Sequence, residues 1–429
     1  MIEVAKSVQN DVKTEKSESS HQVFKIIQGG LGRPSTPVTF DGLKEYLQPK
    51  LSADININFL IGSGSSKPAI DLMSTTFDNY KIENKSNDEI TELIQRYEKE
   101  CGEDNKNDIE KFLSWLGSRI LGLSKDELKN EKEVQKNLID ALVSSITQGF
   151  NSAVDKNSER LKEENRKSQN PQRDASDVVQ NYEQFIRRVA KLRERSNSQV
   201  DTVNLFTTNY DLFIEYALDQ LDYLYTDGFR PKLRPEFNIA EFNHRPVDIA
   251  HRFKDRWSVV KPFFRVYKLH GSINWEKDNA HILKTTNWNT KTSSGKKLPE
   301  VIAPTSSKYA DSQGAPYSDL FRELSVQLLN PNSLLIINGF GFGDEHINEL
   351  LKQALSRSDF EMIAFVNDQE DNTQKFMNYV GSNAKATFVT NNDGNQYGHY
   401  FSTLVDLLAF KDPFELPDDE DSEGDKDDK

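Results

Sequence analysis

The chain has 429 residues, 36% hydrophobic, 10% aromatic and 28% charged, with a net charge of −14. That length exceeds one average domain but suits one large enzyme domain with a helical insertion, and 25 Phe and 14 Tyr exclude wholesale disorder. The acidic balance excludes coating of DNA or anionic membrane by bulk electrostatics, and the solitary Cys101 excludes a disulfide scaffold, a zinc ribbon and a CxxC redox pair.

In chain order, residues 1–50 are expected to form an N-terminal extension: a mostly polar stretch over the first twenty, a turn at Gly29, Gly30 and Gly32, and a short helix over 39–47. The polar opening is not expected to act as a secretory signal. The longest apolar runs, such as 334–337, are strand-sized and cannot span a bilayer, so a cytoplasmic protein is expected. Six runs rich in Ile, Val, Phe and Leu stop at Gly, Asn or His, at 55–61, 203–208, 264–269, 334–338, 362–366 and 386–390. They have the texture of buried parallel strands. Helical periodicity follows some of them, with Leu212, Tyr216, Leu218 and Leu221 on one face and Ile347, Leu350, Leu351 and Leu355 on another. Strand, crossover helix and strand in alternation predict an α/β fold, a doubly wound Rossmann-like parallel sheet. Its expected extent is 51–77 and 199–410.

Between these pieces, 78–198 reads as a large α-helical insertion, with apolar stripes at Ile109, Phe112, Leu113, Leu116 and Ile120 and at Val134, Leu138, Leu142 and Ile146. It is either a surface for oligomerisation or regulation, or the cover of a sheet edge. Its end carries basic residues at Arg187, Arg188, Lys191, Arg193 and Arg195, read as a solvated helix face or a local contact for a complex. Residues 411–429 form an acidic tail, expected to be disordered; 418–429 hold eight carboxylates and two lysines.

Polar residues cluster at the strand ends. The first strand runs into Gly62, Ser63, Gly64, Ser65 and Ser66, a turn in which glycines let the backbone approach a pyrophosphate. The same pattern also suits an ordinary strand–helix turn. The second ends at Thr208, Asn209 and Asp211, where a ligand contact competes with a plain helix cap. The third ends at His270-Gly271, the fourth opens the glycine-rich Gly339-Phe340-Gly341-Phe342-Gly343-Asp344, and the fifth ends at Asn367-Asp368.

Taken in order, GSGSS, TTNYD, LHGS, NGFGFGDEH and VND resemble the sirtuin fold, specifically the bacterial sirtuin-like NAD-consuming proteins of antiphage defence. The resemblance covers about 55–70 and 200–400. It implies pyrophosphate contacts at Gly62, Ser63, Gly64 and Ser66, and nicotinamide and ribose contacts at Asn209 and Asp211. It further implies a catalytic role for His270, cofactor contacts at Thr208 (where Gln is usual), Gly339, Phe340 and Gly341, and an adenine-ribose contact at Asn367. The stretch 272–304 lacks the four zinc cysteines of protein deacylases, which disfavours an acyl-lysine substrate and any metal. The expected activity is NAD glycohydrolysis, with Asn209, His270 and Asp211 catalytic and NAD as substrate. The resemblance also implies a homo-oligomer and a possible HerA-type ATPase partner, since the chain has no GxxxxGK[ST] motif of its own. A non-hydrolysing NAD or ADP-ribose sensor and a nuclease-complex subunit are the alternatives; direct nucleic-acid binding is disfavoured by the charge.

Overall fold

The computed structural model describes residues 23–30, 32–51, 55–102, 106–120, 127–162, 175–194, 202–253, 256–278, 281–285, 299–301, 315–391 and 397–409. The acidic tail, Arg195 and residues 1–22 lie outside this set. Strands β1 (Val23–Gln28) and β2 (Ser35–Thr39) precede helix α1 (Phe40–Leu47) and β3 (Asn56–Ile61). Helices α2 (Met73–Glu83), α3 (Asp88–Cys101), α4 (Ile109–Ile120), α5 (Glu127–Lys162) and α6 (Ala175–Glu194) follow, then β4 (Thr202–Thr207), α7 (Phe213–Gln220) and β5 (Tyr225–Thr226). Next come the hairpin β6 (Val247–Phe253) and β7 (Arg256–Val259), then β8 (Phe263–Lys268), β9 (Gly271–Asp278), β10 (His281–Lys284) and β11 (Pro299–Val301). The chain closes with α8 (Tyr317–Leu328), β12 (Ser333–Asn338), α9 (Glu345–Leu355), β13 (Phe360–Phe365), α10 (Asp371–Val380), β14 (Ala386–Asn391) and α11 (Phe401–Leu407).

The main sheet has the order β2-β1-β14-β13-β12-β3-β4-β8-β5. From β14 to β5 every pairing is parallel, whereas β1 and β2 add antiparallel strands at one edge. All six expected strands lie in the parallel part. Residues 23–51 do not stand apart as an extension: β1 pairs with β14, and Phe24, Leu43 and Leu47 are buried in the same core as β3.

Alternate residues of each strand enter opposite layers. Ile57, Phe59 and Ile61 join one core with Val203, Leu205 and Ile336, while Leu60, Phe206, Leu335 and Ile337 join the other. Both faces are therefore covered, the condition under which a parallel sheet reads as continuous hydrophobic runs. The first layer is α1, α5, α6, α7 and α11; the second is α8, α9 and α10.

The segment 78–198 divides in two. Helices α2–α4 and the first half of α5 enclose their own small core around Phe77, Tyr97, Phe112 and Leu138. The second half of α5 and all of α6 belong to the sheet's layer, through Leu142, Ile146 and Phe150 and through Val178, Tyr182, Phe185 and Ile186. The basic run on α6 is a solvated face only in part: Arg187 and Lys191 are exposed, whereas the helical register turns Arg188 and Arg193 inward. Arg188 bonds the Val405 carbonyl and Asp406, and Arg193 is buried with Nη2 on the Ile55 carbonyl at 2.8 Å. After β8, strands β10, β9 and β11 pair in that order as a separate three-stranded sheet.

Candidate active site at the sheet switch point

The chain winds from β3 through β4 to β8 on one side and returns to β12 on the other side of β3. Such a reversal opens a crevice at the carboxyl ends of the central strands, where open α/β sheets take their ligands. The loops after β3, β4, β8, β12 and β13 all converge there. Two connected hollows result, one of about 310 Å³ lined by Ser63, Ser66, Thr208, Asn209, Asp211 and His270 among others, and one of about 850 Å³ lined by Gly64, Asn367, Glu370, Thr373, Tyr397 and Tyr400 among others. Ser63, Leu72, Gly339, Phe340 and Gly341 line both and form the waist between them.

The waist depends on two loops touching backbone to backbone. The Gly62 amide donates to the Asn338 carbonyl at 2.9 Å, and the Gly64 amide donates to the Gly339 carbonyl at 2.9 Å. A Cβ on Gly64 would sit 2.9 Å from the Gly339 Cα, and one on Gly62 would overlap the Gly339 carbonyl. Gly339 itself has φ +70°, a left-handed conformation that costs other residues roughly 1–2 kcal/mol. Ser65 ties the loops further, with Oγ 2.8 Å from Asn338 Oδ1. The glycines are thus explained first by the approach of the two loops. Gly62 lies beneath the waist and is not among the residues lining either hollow.

Ser66 is the hub of the smaller lobe. Its hydroxyl donates to Asp211 Oδ2 at 2.8 Å and accepts from Asn209 Nδ2 at 3.0 Å. A hydroxyl has one proton and two lone pairs, so the remaining contact, Tyr182 at 3.1 Å, must be the tyrosine donating. The Ser66 hydroxyl is thereby saturated: it organises its neighbours and has no valence left for a phosphate. Asp211 Oδ1 also accepts from the Phe213 amide at 3.2 Å, a local bond at the start of α7, although the cap position itself falls on Leu212. Burial pushes the Asp211 carboxyl up, against the pull of Lys268, Ser66 and the Phe213 amide.

Asn209 is oriented without ambiguity, because its Nδ2 donates to both the Gly62 carbonyl at 3.1 Å and Ser66. Its Oδ1 is left buried with no hydrogen-bond partner. In the larger lobe, Thr373 Oγ1 is in the same condition. A buried polar atom left unsatisfied costs about 1–3 kcal/mol, and a dinucleotide bearing hydroxyls at both ends would satisfy one such atom in each lobe. By that criterion the crevice fits NAD.

His270 is buried at the end of β8, and Nε2 lies 2.9 Å from Asp344 Oδ2. The other oxygen, Oδ1, accepts from the His346 and Ile347 amides and caps α9. The carboxylate is thus fixed by the helix and in turn fixes the imidazole with its proton on Nε2, which leaves Nδ1 as the basic nitrogen. Neighbouring His346 stacks on Phe321 at 4.3 Å, and burial lowers its pKa.

At the far end, Asn367 Oδ1 accepts from the Gln369 amide at 3.2 Å and shapes its own loop. Glu370 stands three residues on, with its carboxyl pushed up by burial, and is suited to a ribose diol. Tyr397 and Tyr400 supply aromatic surface for a base.

All the expected residues except Gly62 line the crevice. Asp344, Tyr182, Glu370 and the two tyrosines were missed. Asp344 closes a glycine-rich loop before a helix, a local pattern that by itself suits a helix start. Tyr182 carries no local signal of such a role, only a helical spacing with Phe185, Ile186 and Val189.

With this geometry in place, residues 203–384 match the family model described as a SIR2-like domain. The match begins in β4 and ends before β14, so the β3 loop and the helices before β4 lie outside it. No curated protein matches the chain. Over that stretch, less than half of the chain, the protein is similar to a SIR2-like domain; the fold is of the Rossmann-type α/β class, and the match fits an NAD-related activity. Among the described residues no helix is long and apolar enough to cross a membrane, and no group of three or more His, Cys, Asp and Glu is placed to hold a metal ion.

Proposed function

We propose that the protein is an NAD glycohydrolase, cleaving NAD to nicotinamide and ADP-ribose. The observation carrying this reading is the convergence, at the smaller lobe, of a carboxylate-held imidazole and the unpartnered Asn209 Oδ1. The nicotinamide–ribose bond breaks with its electron pair leaving on the pyridine nitrogen, so the leaving group departs neutral and needs no general acid. The water oxygen bonds to C1′ of the oxocarbenium-like centre and its proton passes to His270. Asn209 Oδ1 accepts from the water or a ribose hydroxyl, and Asp211 acts through Ser66 to keep Asn209 in place. General base catalysis of this kind supplies on the order of a hundred- to ten-thousandfold.

The reading extends to a role in antiphage defence, within a homo-oligomer or with a HerA-type ATPase partner; support for that extension is the motif resemblance alone. Chromatography of nicotinamide and ADP-ribose released by the purified chain, alone and with such an ATPase, tests the activity. His270→Gln should be inactive at every pH while still binding NAD. Intact NAD under every condition, with folded protein that binds it, would replace the hydrolase by a sensor.

A further inference from the structure

Lys268 is the last residue of β8, two positions before His270, and only 1% of it is exposed. Its ammonium donates to the Asp211 carbonyl and lies 3.4 Å from Glu215 Oε1 on α7. A lysine is almost never buried to this degree without partners, and both partners here belong to the segment that carries Asn209 and Asp211. Glu215 is itself buried, and its Oε2 has no partner. Neither residue lines the crevice.

We infer that Lys268, with Glu215 as its counter-ion, is a positioning residue that fastens the Asn209–Asp211 turn to β8 and holds the Asp211 carboxylate ready to orient Ser66 and Asn209. This rests on the proposed hydrolysis for its activity readout. The charged or titratable groups facing Asp211 are Lys268 from β8, Glu215 from α7 and Tyr182 from α6. Of these, Lys268 is the only cation, and it opposes the upward push of burial. When Asp211 takes up a proton it no longer accepts from Ser66 with the strength of a charge-assisted bond, and Asn209 loses its anchor.

The signs follow from the charges. Lys268→Met removes the favourable cation, raises the Asp211 pKa and moves the acid limb of the pH–rate profile to higher pH. Glu215→Gln removes a like charge and moves that limb to lower pH. The experiment measures nicotinamide release and NAD affinity across pH for the wild type, Lys268→Met and Glu215→Gln. Lys268→Met should lose about a hundredfold in turnover near neutrality, the scale of a small misplacement of reacting groups, recover in part as pH rises, and change KM far less. If the wild type binds NAD without cleaving it, the hydrolase reading fails, but the opposed shifts should still appear in the pH dependence of affinity. If Lys268→Met does not fold, the downward shift in Glu215→Gln decides. Coincident profiles for the folded variants and the wild type, or shifts of the same sign, would overturn the inference.

Discussion

Asp344→Asn isolates the role of the carboxylate with little change of shape. The oxygen Oδ1 is held by the His346 and Ile347 amides, both donors, so the asparagine must keep its carbonyl there and present Nδ2 where Oδ2 stood, 2.9 Å from His270 Nε2. A donor in that place forces Nε2 to accept and moves the imidazole proton to Nδ1, the nitrogen meant to take the proton from water. The substitution therefore disables the base by its tautomer while leaving the ring in position. Turnover should fall by roughly 10²–10⁴-fold, the span associated with general base catalysis and with loss of the correct tautomer. Stability should change little, because asparagine caps a helix about as well as aspartate and the lost charge-assisted bond is worth about 1.5–3 kcal/mol at most. Nicotinamide release read by chromatography, with ADP-ribose affinity by calorimetry and a thermal melt as controls, makes the measurement. Turnover within a few-fold of wild type, in a folded variant, would refute the pairing as a catalytic device and leave Asp344 only its cap on α9.

Gly339→Ala places a methyl group against the Ser65 amide at φ +70°; backbone strain and overpacking together predict a loss of about 2–5 kcal/mol, read by denaturant unfolding, with NAD binding lost in any folded fraction. Tyr182→Phe removes one donor from Ser66 and should cost about 1 kcal/mol with a several-fold drop in turnover, since Asp211 and Asn209 still hold the serine; an unchanged rate in steady-state assays would show that α6 contributes packing alone. Glu370 has a carboxyl raised by burial, so the folded protein binds this proton more tightly than the unfolded chain, and its contribution favours the fold at low pH and declines as pH rises from the ordinary carboxylate range through the raised value. Glu370→Gln should flatten that part of the melting-temperature profile and weaken NAD binding together.

The local pattern was enough to locate the parallel strands and the polar residues at their ends. A buried strand announces itself within six residues, and the Gly, Asn or His that stops it is adjacent in the chain. That is why Asn209, His270 and Gly339 could be marked before any contact was known, and why the apolar face at Ile347, Leu350, Leu351 and Leu355 fell on a helix, α9. Tertiary structure decided what those residues touch. His270 meets Asp344 across 74 residues, and Tyr182 meets Ser66 across 116, because β3 lies between β4 and β12 in the sheet and gathers their loops at one place. Helical periodicity shows which face of α6 is buried but not which serine it will meet. The edge strands β1 and β2 and the hairpin β6–β7 escaped notice because polar residues interrupt their apolar positions, and β1 is held in the main sheet by β14, a partner remote in the chain. The saturation of the Ser66 hydroxyl belongs to the same class of fact: three partners, one on α6 and two on the loop after β4, fill its valence, and no one of them lies close to it in sequence.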